Sequence, residues 1–161
     1  ILIMTTLGSC IAACLWDRDK KVGGMNHFML PEGNGGADGG RYGSYAMELL
    51  INELIKRGAT RSTMEAKVFG GGAVISGMNS INVGERNTKF VLDYLHTERI
   101  TVVSKDVMDI YPRKVCFLPG SGKAMVKRLA PTNTDALLAQ DRAAAQKPVP
   151  ANTGAGSIDL F

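Results

Sequence analysis

The length of 161 residues allows one domain with a hydrophobic core and is too short for two domains of ordinary size. Hydrophobic residues make up 45% of the chain and charged residues 21%, which excludes a disordered or collagen-like protein. The formal net charge is +4, but the Lys and Arg residues are scattered and aromatic residues make up only 6%, so we expect a basic surface and no nucleic-acid partner.

The first predicted elements are short strands. Residues 1–6 suit a strand that enters a turn at residues 7–9. Residues 10–16 and 22–30 suit the two strands of a hairpin, with a polar turn between them. The hairpin is the element on which the first functional hypothesis depends.

Helices and strands alternate in the middle of the chain. A glycine-rich loop over residues 31–40 precedes an amphipathic helix over about residues 43–57, which ends at Gly58. Asn82, with Glu85 three residues later, predicts the start of a second helix. Further strands are predicted at residues 65–69, 99–104, 113–118 and 123–129. This order favours an α+β fold with mixed, mostly antiparallel sheets and helices packed on one side.

The composition changes after residue 129. Residues 130–156 are polar and contain prolines, which predicts a flexible linker. Residues 157–161 form a short C-terminal apolar tail, and residues 1–129 are left as the folded domain. The tail either docks back on the domain or is a short binding motif.

Three cysteines, Cys10, Cys14 and Cys116, are too few and odd in number for a secreted disulfide framework. No signal peptide or long apolar segment occurs, so we expect a cytoplasmic protein without membrane insertion. The cysteines and the two histidines have no zinc-binding spacing, and neither a metal nor a cofactor is expected. The chain begins at Ile1 without an initiator Met, so we expect that an N-terminal piece is missing.

Cys10 and His27 are predicted to face each other across the hairpin. If Arg18 and Asp19 are the two central turn residues, Cys10 lies opposite His27 with the Cβ atoms about 5 Å apart. A Cys beside a His can form a thiolate–imidazolium pair, the nucleophile of thiol hydrolases. From the residues alone, however, an inert buried Cys10 and a structural His27 are the commoner alternative.

Four segments resemble the CheD family of chemoreceptor glutamine deamidases. They are LGSC at residues 7–10, GGMNHFMLP at 23–31, AKVFGG at 66–71 and GERN at 84–87, and the resemblance covers residues 1 to about 129 in order. It implies a layered α/β sandwich related to a bacterial toxin deamidase. Residues 1–129 would then be a deamidase catalytic domain.

The resemblance also implies a Cys-His-Thr arrangement in which Cys10 is the nucleophile and His27 is the base. The threonine is Thr5 if the turn is one residue shorter than in the family, with Thr6 as the alternative, whereas an ungapped match falls on Met4. Thr5 would orient the imidazole. The residues expected to line the site or to hold an oxyanion are Gly8, Ser9, Gly70 and Gly71.

The implied enzyme is a protein-glutamine glutaminase, an amidohydrolase that converts glutamine side chains to glutamate on the cytoplasmic helices of chemoreceptors. The same acyl intermediate would allow hydrolysis of glutamyl methyl esters. A phosphatase of the chemotaxis system is a candidate partner. The alternatives are a non-catalytic adaptor that binds receptors or this phosphatase, against which the Cys10–His27 pair argues, and a redox sensor built on Cys10 and Cys14.

Overall fold

The computed structural model describes residues 1–31, 36–73, 78–130 and 157–160. Within these ranges the chain forms eight β-strands, two α-helices and a short 3₁₀ helix at Arg61–Thr63. The helices are α1 (Gly36–Lys56) and α2 (Met78–Thr97). The strands are β1 (Ile3–Leu7), β2 (Ile11–Asp17), β3 (Val22–Phe28), β4 (Met64–Gly70), β5 (Thr101–Val107), β6 (Arg113–Leu118), β7 (Lys123–Arg128) and β8 (Ser157–Leu160). None of the helices in these ranges has an apolar stretch of the length needed to cross a membrane.

The strands form two sheets. The larger sheet has the order β5-β4-β2-β3-β8, and the smaller sheet has the order β1-β6-β7. Neighbouring strands are antiparallel except β4 and β5, which are parallel and are joined through α2, as a parallel pair requires a long crossover. The prediction of an α+β fold with mixed, mostly antiparallel sheets is therefore confirmed.

Two apolar clusters hold the layers together. Side chains alternate along β2, which lies at the centre of the larger sheet and is buried on both faces. Ile11, Ala13 and Leu15 pack in the cluster that includes the helices, whereas Ala12 and Cys14 pack in the cluster that includes the smaller sheet. Each fully buried Leu or Ile contributes about 1.5–3 kcal/mol relative to an exposed one. The larger sheet is thus sandwiched between two helices and the smaller sheet.

The hairpin turn is wider than predicted. The last pair of the β2–β3 ladder is Asp17 with Val22, so the turn has four residues and the predicted two-residue turn at Arg18 and Asp19 is wrong. The side-chain Oδ1 of Asp17 accepts hydrogen bonds from the backbone N–H of Asp19 at 3.0 Å and of Lys20 at 2.8 Å. These bonds stabilise the longer turn, because they give two turn amides a buried acceptor.

Both helices begin earlier than predicted. The loop prediction for residues 31–40 is wrong from Gly36 onwards, where α1 begins. Inside α1, a Cβ atom on Gly43 would lie 2.4 Å from the ring of Phe90 in α2, so glycine is required for the two helices to pack. Packing therefore outweighs the low helix propensity of glycine. Asn82 lies inside α2 and is not its N-cap, because the helix already begins at Met78.

The C-terminal strand lies on the edge of the larger sheet. β8 pairs antiparallel with β3, and its register places Ser157 beside His27 and Asp159 beside Met25. Of the two alternatives for the tail, docking on the domain is the one that residues 157–160 adopt. The predicted linker is outside the described residues from residue 131 to residue 156, and so is Phe161.

Asp17 also ties the hairpin to the 3₁₀ helix. Its Oδ2 accepts hydrogen bonds from the backbone N–H of Thr60 at 3.0 Å and from the hydroxyl of Thr63. Burial alone would raise the pKa of Asp17, but the hydrogen bonds from Thr63, Lys20, Thr60 and Asp19 outweigh it and lower this pKa below its usual value. Folding is therefore coupled to ionisation of this carboxyl group.

We expect Asp17→Ala to lower the free energy of unfolding by about 2–4 kcal/mol at neutral pH, because it removes the four hydrogen bonds that the buried carboxylate accepts. A carboxyl group whose pKa is lowered by folding stabilises the protein above its unfolded-state pKa, and this contribution is lost as the pH falls through the folded-state pKa. The difference between wild type and variant should therefore narrow below about pH 4. Urea unfolding at several pH values measures this, with Asp19→Ala as a control that should change the free energy by less than about 0.5 kcal/mol. A difference that stays constant with pH would contradict the role of the carboxylate.

Candidate active site

The chain crosses from the smaller sheet to the larger one through residues 8–10. β1 ends at Leu7 and β2 begins at Ile11, so this crossing segment consists of Gly8, Ser9 and Cys10. Ser9 and Cys10 have no exposed surface. The candidate nucleophile is thus held between the two sheets.

Hydrogen bonds fix the carbonyl groups of the crossing segment. Each of its three carbonyl oxygens accepts one: Gly8 from the N–H of Gly72 at 3.1 Å, Ser9 from Nδ2 of Asn87 at 3.0 Å, and Cys10 from the N–H of Gly71 at 2.9 Å. Three successive peptide planes are therefore set by contacts from the end of β4 and from α2. Such a segment has little freedom to reorient.

The glycines after β4 are required by close backbone contact. Gly70 has a φ of +108°, and a Cβ atom on it would lie 2.0 Å from the carbonyl oxygen of Cys10. Gly71 has a φ of +68°, and its Cβ atom would lie 2.0 Å from the hydroxyl of Thr88. Both the dihedral angles and the space exclude a side chain. The structure thus places Gly70 and Gly71 against Cys10.

Arg113 forms hydrogen bonds around the end of this glycine segment. Its side chain is completely buried at the start of β6. Its guanidinium donates hydrogen bonds to carbonyl oxygens of residues around the end of β4 and β5 and to one carboxylate: Gly70 at 3.5 Å, Tyr111 at 3.0 Å, Met108 at 2.7 Å and Asp106 at 3.2 Å. The ion pair and the carbonyl oxygens lower the cost of burying this charge.

His27 is not directly opposite Cys10. It pairs with Ala12, two residues further along β2, so the predicted Cys10–His27 opposition is wrong. The cause is the four-residue turn, which shifts the register by two positions. A shift of two leaves every side chain on its predicted face. Cys10, which directly precedes β2, packs in the same cluster as Ala12 and therefore lies diagonal to His27 at the end of the ladder.

Thr5 contacts His27 from the smaller sheet. Its Oγ1 lies 3.4 Å from Nδ1 of His27. Side chains alternate along β1, so Thr6 and Met4 are on the opposite face, where Met4 is 56% exposed and Thr6 pairs with the exposed Lys114. Of the three residues considered for the third position, Thr5 is the one that reaches the imidazole.

Two further titratable side chains, Cys14 and Tyr42, have a raised pKa. Burial raises the pKa of the Cys14 thiol well above its ordinary value, so Cys14 stays protonated, which argues against a redox pair with Cys10. The pKa of Tyr42 on α1 is raised first by burial and second by negative charge on Cys10. The Tyr42 phenol is therefore within electrostatic range of the candidate nucleophile.

Sequence reasoning missed two of these contacts. Tyr42 lies in the segment of α1 that follows the glycines, and no local pattern distinguishes it. Asn87 belongs to the GERN segment, but its distance of 78 positions from Ser9 gives no sign of their hydrogen bond. Only the packing of α2 against the larger sheet brings them together.

A Thr–His contact beside a buried Cys, where two stacked sheets meet, is the kind of arrangement from which thiol hydrolases are built. The family model described as CheD chemotactic sensory transduction matches residues 29–128. A relative from Albidiferax ferrireducens, named probable chemoreceptor glutamine deamidase CheD 1, is 62% identical over all 161 residues and 69% of its own length. Relatives from Janthinobacterium sp. and Thiobacillus denitrificans, both named probable chemoreceptor glutamine deamidase CheD, are 50% and 51% identical over the whole chain and over 81% and 82% of their own lengths. The chain belongs to the CheD family.

We expect Gly70→Ala to lower the free energy of unfolding by at least about 2 kcal/mol, because its methyl group would overlap the Cys10 carbonyl in a left-handed backbone conformation. Gly120→Ala is the matched control, since a Cβ atom there meets nothing within 4 Å. The control should change the free energy by less than about 0.5 kcal/mol. Chemical denaturation of both variants measures the difference, and equal stabilities would show that the end of β4 can move away from Cys10.

Proposed function

We propose that this chain deamidates glutamine side chains of chemoreceptors with Cys10 as the nucleophile and His27 as the base. The names of its relatives support the substrate, and the contact between Thr5 and His27 beside the crossing segment supports the chemistry. That contact is the observation on which the proposal chiefly depends, because an imidazole oriented by a third group is the arrangement in which a base activates a nucleophile.

In this proposal Thr5 fixes the orientation of the imidazole. The Thr5 hydroxyl accepts a hydrogen bond from the protonated Nδ1 of His27. This bond selects the tautomer in which Nε2 carries the lone pair. Nε2 can then take the proton from the Cys10 thiol, and the resulting imidazolium stabilises the thiolate.

Acylation follows from the thiolate. The Cys10 sulfur attacks the side-chain carbonyl carbon of a receptor glutamine and forms a tetrahedral intermediate. The backbone N–H of Cys10 donates to the negative oxygen of this intermediate. The carbon–nitrogen bond then breaks, His27 gives its proton to the leaving nitrogen, and ammonia and a thioester result.

Hydrolysis of the thioester completes the reaction. Water attacks the thioester carbon while His27 accepts its proton, and the carbon–sulfur bond breaks to release glutamate and restore the thiol. A glutamyl methyl ester would give the same thioester, with methanol as the leaving group. Ester hydrolysis is therefore part of the proposal.

Burial of the nucleophile limits access. Cys10 has no exposed surface, whereas His27 is partly exposed. A glutamine side chain would therefore approach past the imidazole, and the side chains that bury the sulfur would have to move aside. We propose that residues 1–129 form the catalytic domain. It would act in the cytoplasm, and its substrates would be glutamines on the cytoplasmic helices of the receptor. Binding of a chemotaxis phosphatase stays a prediction.

Cys10→Ala should abolish deamidation, with a rate at least about 1,000-fold lower than that of the wild type, because it removes the thiol that forms the thioester. His27→Ala should lose a similar factor, and the double variant should be no slower than either single variant, since the two residues act as a unit. Mass spectrometry of a chemoreceptor cytoplasmic fragment measures the gain of about one dalton for each deamidated glutamine. Cys14→Ala is the control, because it removes a buried thiol from the same strand face but leaves the proposed nucleophile in place. Deamidation at the wild-type rate by Cys10→Ala would refute the mechanism.

Thr5→Ala should lower kcat by about 10- to 100-fold, because the imidazole loses the contact that orients it. Thr6→Ala, on the opposite face of the same strand, should stay within about 2-fold of the wild type. The same receptor fragment and mass-spectrometric assay compare the two variants. Equal losses in both would mean that the strand as a whole, rather than the Thr5 hydroxyl, supports the activity.

A further inference from the structure

Asn87 bonds to both parts of the candidate site. Its side chain is completely buried on α2. Nδ2 donates to the carbonyl oxygen of Ser9 at 3.0 Å, and Oδ1 accepts from the backbone N–H of Leu30 at 3.1 Å. Ser9 immediately precedes Cys10, and Leu30 lies three residues after His27. A single carboxamide therefore connects the crossing segment to the chain that carries the imidazole.

The hydrogen bond from Asn87 to the Ser9 carbonyl sets the orientation of the Ser9–Cys10 peptide group. In a trans peptide the N–H of one residue points away from the carbonyl of the residue before it, and the described chain contains no cis peptide. When Asn87 holds the Ser9 carbonyl towards α2, the N–H of Cys10 is directed to the opposite side. This N–H is the donor to which the proposed function assigns the developing oxyanion.

Asn87 differs from the other donors to the crossing segment. Gly71 and Gly72 donate from the backbone, so no substitution of their side chains removes those bonds. Asn87 donates from a side chain, and its bond can be deleted without a change in the backbone. The orientation of the Ser9–Cys10 peptide is thus open to direct test.

We propose that Asn87 is a positioning residue for deamidation, which aims the Cys10 N–H at the oxyanion by holding the Ser9 carbonyl. This inference rests on the proposed function. Asn87 touches neither the substrate nor the reacting atoms, and it acts through the peptide group that it fixes. Its loss should therefore impair the step that develops negative charge on the carbonyl oxygen and spare the reactivity of the thiol itself.

Two reactions of Cys10 separate these effects. Alkylation by iodoacetamide needs the thiolate but forms no oxyanion, whereas deamidation needs both. For Asn87→Leu we expect kcat on a chemoreceptor cytoplasmic fragment to fall by about 10- to 100-fold, with KM and the Cys10 alkylation rate within about 3-fold of the wild type. Peptide mass spectrometry assigns the alkylation to Cys10, so that the partly exposed Cys116 is counted separately.

Thr88→Val is the matched control. Thr88 is the next residue on α2 and is also buried, but its hydroxyl donates to the carbonyl of Gly84 within the same helix at 2.8 Å. The Thr88→Val substitution should leave the ratio of kcat to the Cys10 alkylation rate unchanged. A general weakening of α2 would lower kcat and raise the alkylation rate in both variants, because it would expose the buried Cys10 thiol. That result would overturn the inference, as would an unchanged kcat in Asn87→Leu.

Asn87→Asp keeps the test decisive if the Leu variant does not fold. Its carboxyl group can accept from Leu30, but it can donate to Ser9 only when protonated. Because burial raises a carboxyl pKa, its kcat relative to that of the wild type should rise at least about 3-fold from about pH 8 to about pH 6. A ratio that stays flat would overturn the inference. Absence of deamidation by the wild-type chain would instead refute the proposed function, which separates the two failures.

Discussion

The close contact between the end of β4 and the backbone of Cys10 is the constraint around which the candidate site is arranged. The Cys10 carbonyl accepts a hydrogen bond from the N–H of Gly71, and any side chain on Gly70 would overlap that carbonyl. β4 must therefore end in glycines, and the buried Arg113 binds the Gly70 carbonyl from the other side. Because the crossing segment joins the two sheets at this point, Thr5 from the smaller sheet can meet His27 from the larger one. A site composed of residues on separate sheets depends on the packing between them, which the inter-sheet cluster of Leu7, Cys10, Met25 and Phe117 provides.

The positions of the proposed Cys-His-Thr residues show how alternation in strands protects a prediction from an error in register. The hairpin itself follows from composition, but its register does not, because Asp17 stabilises a four-residue turn through bonds that a turn pattern does not reveal. The error was even, so Cys10 and His27 stayed on one face. The choice between Thr5 and Thr6 needed the pairing of β1 with β6, which connects segments more than 100 positions apart. Local sequence predicted which residue types would gather, and long-range packing decided which member of each pair would do so.

The errors in the predicted helix starts also arise from long-range packing. Glycines lowered the expected helix content of residues 36–40, yet α1 includes them and uses Gly43 to approach Phe90. Asn82 and Glu85 have the spacing of a capping box, but α2 had already begun. In both cases a local preference of about 1 kcal/mol gave way to the burial of helix faces against the sheet. Asn87 shows the same effect at the site, since its two hydrogen bonds join positions that are 57 and 78 residues away.

The order of the site along the chain has a consequence for folding. Thr5, Cys10 and His27 all lie between residues 5 and 27, whereas the crossing segment is held by Gly71 and Asn87, and β1 pairs with β6, all of which come much later in the chain. A nascent chain that has emerged only as far as β3 would contain the thiol and the imidazole without the contacts that orient them. Non-local contacts form late because loop closure costs entropy before the contact stabilises the chain. The proposed reactive geometry would then arise only after β4, α2 and β6 have joined the sheets, so that a partly synthesised or misfolded chain would carry an ordinary cysteine.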